Sequence, residues 1–427
     1  MTDIKNNMTA NKMYERSITL PRGTLDLTYQ TNFSGDSKNY ELEDLLGFAQ
    51  RINPKRAFLF VSKVLGRHIP VAPGTMRHAF TDLANLVPDD LPEPILVIGM
   101  AETAVGLSAG VHQALQTRYP SALLLNSTRH TQHNEDNTET LLTTFSEDHS
   151  HASQHLIYQS ADTVTQAQLL ASKTLIMVDD EASTGNTCVN VVTALRNAGL
   201  DQLQQVHLTT LVDWSLNQNQ SHANADDTIA TRLSNIEFHR HHLLSGAWQW
   251  TDAPNPEPIT MPSVDTTEAG SYALGDTGNW GRFPTLDSTD GFAFYLTKFQ
   301  AAFNLFNQQA QSEKASFEKE QLPQRILVLG SNEFVWLPFL LAEWLETQTQ
   351  NATVKFSALT RSPIALGGAI KKMLSFSDNY GLGMTNFAYN VEPNDWDLIV
   401  LCVETSADSV DDMWQSLENV LVVSPTL

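Results

Sequence analysis

Short apolar runs that end in a small-residue turn and continue into a helix-like pattern constrain this chain most, because alternating strand and helix signals build parallel α/β units. ILVIGM at 95–100 leads into ETAVGLSAGVHQALQTR, and ALLLNS at 122–127 into a polar turn. TLIMVDD at 174–180 leads into ASTGNTCVNVVTALRNAG, which Gly199 can stop. VHLTTLVDW at 206–214 reads as a further strand. With 427 residues the chain exceeds one compact core and suits two or three domains.

Residues 251–290 carry PNPEP, MPS and several glycines and read as a linker or covering segment, followed by a helix at 291–315 and a charged connection at 312–324. A second α/β region then repeats the order of the first. RILVLGSNEFVWLPFLLAEWLE mirrors PILVIGMAETAVGLSAGVHQAL, which pairs Gly330 and Glu333 with Gly99 and Glu102. FSALTRSP mirrors LLLNSTRH, and the intervals from Gly330 to Arg361 and from Gly99 to Arg129 are 31 and 30 residues. DLIVLCVETSADS stands where TLIMVDDEASTGN stood. The matches suggest two related Rossmann-like halves, with chance likeness between ordinary α/β units as the alternative. The expected division is 1–250, 251–323 and 324–427, and the C-terminal copy lacks a TGxT turn.

IMVDDEASTGNT carries the chemistry. Its apolar run ends at the carboxyl edge of a sheet, where open α/β folds place ligands. Asp179 and Asp180 emerge side by side, and on an extended strand they should point to opposite faces. One carboxylate can then accept hydrogen bonds from ribose hydroxyls while the other faces the sheet or orders a metal-bound water. Thr184, Gly185 and Thr187 follow just before a helix. Gly185 can take a positive φ, and hydroxyls with helix N-terminal amides can surround a phosphate.

The segment resembles the phosphoribosyltransferase signature: four apolar residues, two acids, three variable residues, then TGxT. The resemblance implies a type I phosphoribosyltransferase-like Rossmannoid parallel sheet, followed by a second α/β domain that reads as a degenerate duplicate. It implies Asp179 and Asp180 as ribose ligands and partners of Mg²⁺, and Ser183, Thr184, Gly185, Asn186 and Thr187 as the phosphate loop, with Glu181 beside them. Purine-type members with an acid before the threonine differ, since Ser183 stands there; this is closer to the orotate-type arrangement.

VIGMAETAVG at 97–106 occupies the place of that family's pyrophosphate loop, with Ala101, Glu102 and Thr103 as ligand contacts. Arg129 after the next strand can pair with phosphate oxygens, or simply sit at the surface beside a turn. Lys63 and Arg67 in FVSKVLGRHIPV would share one face if helical, either offering charge to a pyrophosphate leaving group or pointing outward from a packing helix. The polar stretch 129–158 holds His130, His133, His149, His151 and His155 without the frame of a zinc site and reads as a lid, with Glu147, His149 and His151 near an acceptor.

More narrowly, residues 20 to 420 resemble bacterial phosphoribosyltransferase-like proteins with a C-terminal TRSP domain. The residues carrying this are FVSKVLGRHIPV, VIGMAETAVGL, STR, EDHSHA, VDDEASTGNT and ALTRSPI, the last placing Arg361 and Ser362 after a strand as ligand contacts. Such proteins are associated with tellurite-resistance and stress gene clusters. The resemblance implies transfer of 5-phosphoribosyl from phosphoribosyl pyrophosphate to a nitrogenous base, or the reverse, in making or salvaging a nucleoside-like metabolite. A phosphoribosyl-ligand sensor without turnover is the rival reading.

Composition narrows the partners. A formal net charge of −22 argues against a nucleic-acid surface. No run reaches 18 apolar residues and the first residues lack a secretory core, so a cytoplasmic protein away from membranes is expected. Cys188 and Cys402 sit in apolar runs and read as buried thiols. A homodimer is the default assembly.

Overall fold

The computed structural model describes residues 12–31, 40–53, 56–131, 140–146, 154–216, 229–263 apart from 230, 234 and 257, 272–310, 323–348 and 351–426. The chain opens with strands β1 (Met13–Leu20) and β2 (Gly23–Thr31), a short helix α1 (Leu42–Leu45), and strands β3 (Leu46–Arg51) and β4 (Phe58–Ser62). The first α/β half follows. It comprises α2 (Pro73–Asn85), β5 (Ile95–Gly99), α3 (Ala104–Leu115), β6 (Leu123–Asn126), hairpin strands β7 (Leu141–Ser146) and β8 (Gln154–Tyr158), α4 (Thr163–Leu170), β9 (Thr174–Ala182), α5 (Asn186–Asn197), β10 (Gln205–Asp213) and β11 (Glu237–Asp252).

Helix α6 (Phe292–Ala310) crosses to the second half: β12 (Arg325–Ser331), α7 (Trp336–Gln348), β13 (Thr353–Leu359), β14 (Ile364–Ala365), β15 (Met373–Ser377), β16 (Thr385–Tyr389), β17 (Leu398–Cys402), α8 (Asp412–Gln415) and β18 (Val420–Val423). No described helix is long and apolar enough to cross a membrane.

The large sheet runs β1-β2-β11-β10-β9-β5-β6, and β11 through β6 are parallel. The second sheet runs β13-β12-β17-β18, all parallel. Its order reproduces β6-β5-β9-β10, and α7 follows β12 as α3 follows β5. The sequence repeat is thus a repeat of topology, and the fold is α/β with a parallel-rich sheet in each half. Completely buried strands such as ILVIG and LIVLC explain why these segments read as apolar runs rather than alternating ones.

One core runs through both halves: Val97, Leu107 and Phe80 share a buried cluster with Val328, Trp336 and Phe339. Helix α2 is the joint, since Phe80 packs edge-on to Phe339 and Arg77 grips Glu343 with Nε at 2.8 Å and Nη2 at 2.6 Å. A small sheet β14-β3-β4 also joins them, with Ile364 opposite Arg51.

Two expectations change. Residues 63–70 form bends rather than a helix, so Lys63 and Arg67 share no helical face; Gly66 turns there with φ 65°. The stretch 129–158 is in part the antiparallel β7–β8 hairpin, whose threonines, Phe145, Ile157 and Tyr158 are residue types that favour strands. His133, Glu147, His149 and His151, and most of 312–324, lie outside the described residues. Cys188 and Cys402 are free and buried, and burial pushes the Cys188 thiol up to about 12.

Candidate active site

Strand β9 outruns its neighbour. Its pairing with β5 ends at Gly99 opposite Val178, whereas pairing with β10 continues to Ala182 opposite Asp213. Asp179, Asp180 and Glu181 therefore extend past the end of β5, into a cavity of about 460 Å³. Both aspartates border it, beyond the point where β5 ceases to pair with this strand. The amide of Asp180 donates to Asp179 Oδ1 at 2.9 Å. Burial and the adjacent Glu181 push the Asp180 carboxyl up to about 6.

After β9 the chain turns through Gly185, which takes φ 77° at the start of α5. A Cβ there would lie 2.8 Å from Ile229 Cδ1 and 3.0 Å from Arg240 Nη2. Ser183, Thr184, Gly185, Asn186 and Thr187 all line the cavity, with the first amides of α5 beside them. This is the helix N-terminal setting that favours an anion. Arg240, not singled out in the sequence, approaches the same turn, with Nη1 3.2 Å from Asp213 and Nη2 3.5 Å from the Thr184 carbonyl.

The opposite wall is a cluster of charge. Glu102 is 9 % exposed, and Arg67, Arg361 and Arg129 surround it. Arg361 donates to Glu102 Oε1 from Nη2 at 2.7 Å and Nε at 3.0 Å; Arg67 holds Oε2; Arg129 Nη1 stands 4.0 Å from Oε1. Burial pushes the Glu102 carboxyl up, but the three guanidiniums outweigh it and hold the group at about 2. The Ala101 amide donates to Ser127 Oγ at 3.0 Å, and the Ala101–Glu102 peptide is cis.

Of the residues expected at a site, Arg67, Ala101, Glu102, Thr103, Arg129, Asp179 through Glu181, Ser183 through Thr187, Arg361 and Ser362 all border this one cavity. Lys63 does not: its Nζ donates to the Glu43 carbonyl at 2.7 Å. Glu181 is committed to the protein, gripping Arg56 at 2.7 and 3.0 Å and accepting from Trp214 Nε1 at 3.1 Å. His155 is fully buried, bonded through Nδ1 to Ser127 Oγ at 2.9 Å, and His130 stacks on Tyr380 at 4.4 Å. The sequence reading missed the third wall: Arg51, Arg56, Phe60, Trp214 and Trp248. Arg51 ends β3, Arg56 precedes β4, Phe60 lies in β4, Trp214 follows β10 and Trp248 lies within β11, and no contiguous motif announces them.

Asp179 and Asp180 supply hard oxygen donors of the kind Mg²⁺ takes. Among the described residues no group of three His, Cys, Asp or Glu side chains could hold a metal by itself. The donor set therefore fits an ion that draws its remaining ligands from substrate phosphates and water.

Comparison with known proteins identifies two domains. Residues 45–246 match the phosphoribosyl transferase family model, and residues 298–421 match the TRSP domain found C-terminal to that transferase. No curated protein sequence matches. Solved structures include adenine phosphoribosyl transferase from Trypanosoma brucei, in complex with AMP, pyrophosphate and ribose-5-phosphate, at 12% identity and TM-score 0.33, covering 54% of this chain and 86% of that one. The enzyme from Giardia lamblia, complexed with 9-deazaadenine, aligns at 11% identity and TM-score 0.28, over 47% and 96% of the two chains. That from Leishmania donovani aligns at 14% and 0.29, over 48% and 78%. Residues 45–246 thus form a domain of the phosphoribosyl transferase family, followed at 298–421 by a TRSP domain whose Arg361 borders the same cavity.

Proposed function

We propose that the protein transfers the 5-phosphoribosyl group of phosphoribosyl pyrophosphate to a ring nitrogen of a small base, with Mg²⁺, or runs the same exchange in reverse. The observation that supports it most is the sequence of surfaces in one cavity: paired aspartates on a strand end, a phosphate-sized turn capping a helix, and a cluster of three arginines facing them. Division of the chain at 250 and 323 belongs to the same proposal.

In this reading Asp179 and Asp180 accept hydrogen bonds from the ribose 2′ and 3′ hydroxyls. The Ser183–Thr187 turn and the first amides of α5 hold the 5′-phosphate. Asp179 and Asp180 would hold Mg²⁺ together with substrate oxygens, and the ion would supply charge neutralisation there. The nitrogen lone pair forms the bond to C1 while the C1–O bond to pyrophosphate breaks; the leaving group takes that electron pair, and the acceptor nitrogen releases its proton. Negative charge grows on pyrophosphate, and Arg67, Arg129 and Arg361 lie where that charge develops. The C-terminal half is therefore part of the catalytic site, because Arg361 is the one of these that it contributes.

The test is pyrophosphate release from phosphoribosyl pyrophosphate and Mg²⁺ across a panel of bases, comparing the protein with Asp179→Asn/Asp180→Asn. Release that depends on the acceptor and falls at least roughly a hundredfold in the variant supports transfer. Saturable ribose-5-phosphate binding without release from any base would count against it.

A further inference from the structure

Three guanidiniums in the cavity wall converge on one carboxylate. Arg67, Arg129 and Arg361 stand on the segments that follow β4, β6 and β13, and Glu102 lies among them. Arg361 donates to Glu102 from Nε and Nη2, while its Nη1 meets the Met384 sulfur at 3.7 Å, a weak acceptor. Arg129 stops 4.0 Å from Glu102 Oε1, and its Nε is buried with no hydrogen-bond partner among the described residues. Glu333 also acts on Arg67 and Arg361, but it accepts from Thr128 and the Arg129 amide and does not border the cavity. Three cations therefore face two acids, of which Glu102 alone opens to the cavity.

This is an anion site whose donors one carboxylate takes only in part. A diphosphate brings more charge and more acceptor oxygens, and can use the donors that Glu102 leaves over. Glu102 lies on the turn 101–103, outside both β5 and α3, so side-chain rotation can carry its carboxylate into the cavity without unpicking a strand or a helix. Burial raises its carboxyl and the guanidiniums lower it more strongly, to about 2, so it stays ionised across the neutral range.

We infer that Glu102 is a built-in competitor for the leaving pyrophosphate: its carboxylate holds the three guanidiniums, yields them when the diphosphate binds, and retakes them to help it depart. The inference rests on the transfer reading above for pyrophosphate's role as leaving group, and on the shared guanidiniums alone for the competition.

Calorimetric titration of the full chain with pyrophosphate tests it, with ribose-5-phosphate present to fill the Ser183–Thr187 turn. Glu102→Gln, which removes the rival charge, should bind pyrophosphate about tenfold or more tightly than the unaltered protein, and release it more slowly in stopped-flow displacement. Glu102→Asp keeps the charge that buried Arg67 requires but shortens its reach, so it should fall between the two. Cooperative urea unfolding shows that each variant is folded, and Glu102→Asp decides by itself if Glu102→Gln is not. Weaker or equal binding in Glu102→Gln would make the glutamate a support that positions the arginines, and overturns the inference. Glu102→Asp binding no tighter than the unaltered protein would reduce the effect to charge repulsion, and overturns it as well. Tighter binding in both variants, with no base that elicits pyrophosphate release from phosphoribosyl pyrophosphate, would uphold the competition and sink the transfer reading instead.

Discussion

The two halves share a strand, a Gly-x-x-Glu turn, a helix and a Thr-Arg pair, yet they use their glutamates differently. Glu102 of the first half is held by Arg361 of the second, and Glu333 of the second is held by the first, accepting from Thr128 Oγ1 at 2.6 Å and the Arg129 amide at 2.8 Å. Each half thus clasps the other's acid. Glu102 opens onto the cavity, whereas Glu333 is 2 % exposed and absent from its lining. The difference begins at the third element. After β9 comes Gly185 and the 12-residue helix α5; after β17 come Glu404, fully buried against Arg282 and Tyr380, and a single 3-10 turn. Without a glycine turn leading directly into a long helix, the second copy lacks the turn-and-helix arrangement of the first, and its acids serve as internal partners.

The largest expected effect breaks the sealed clasp. Glu333→Ala leaves the Arg129 amide and Thr128 hydroxyl without their acceptor, and should cost about 3 kcal/mol in urea unfolding. Glu102→Ala should cost a similar amount, about 3 kcal/mol, because Arg67 is then buried beside two other cations. The comparison separates the two by rescue. Pyrophosphate should restore a large part of the lost stability in Glu102→Ala, whose arginines face the cavity, and little of it in Glu333→Ala. Equal rescue in both variants would mean that the two acids are equally sealed.

A smaller effect sharpens the contrast at the turn. Gly185→Ala forces a side chain into φ 77° and against Ile229, costing roughly 1–2 kcal/mol and weakening ribose-5-phosphate binding about tenfold. Binding that survives Gly185→Ala would place the phosphate elsewhere.

These contrasts explain what the sequence showed and what it hid. Asp179 through Thr187 were legible because strand end, turn and helix start are contiguous, so one motif contains its own geometry. The repeat was legible because the paired positions keep their spacing. The clasp was not: pairing Glu102 with Arg361 needs the packing of α2 against α7, which comes from surfaces rather than motifs. Lys63 looked like a partner of Arg67, but the bend at Gly66 sends it to the Glu43 carbonyl. Arg51 and Trp248 stand on separate strands and meet only in the fold.

The smallest effect concerns protons. Asp180 has its carboxyl raised to about 6 from an ordinary 3.8 by burial and Glu181. An acid with a raised pKa holds its proton more tightly in the folded state, so its contribution to stability declines as pH rises from about 4 to 6. The role proposed for it toward ribose hydroxyls or a metal needs the charged form, so ligand affinity should climb through the same window. The ligand-free melting temperature and the shift caused by ribose-5-phosphate are therefore expected to carry opposite pH contributions from this one group. The ligand's own phosphate ionises near pH 6 as well, with a second pKa of about 6. Asp180→Asn removes the carboxyl and leaves the phosphate, so subtracting its profile isolates Asp180, with up to about a tenfold affinity change between pH 5 and 7. Glu102 gives the contrast: held at about 2, its stabilising contribution is fully present above pH 4.5 and is lost only as pH falls toward 2, outside the window in which Asp180 titrates. A wild-type profile that coincides with that of Asp180→Asn would show that the strand-end carboxylate neither titrates near 6 nor meets the ligand.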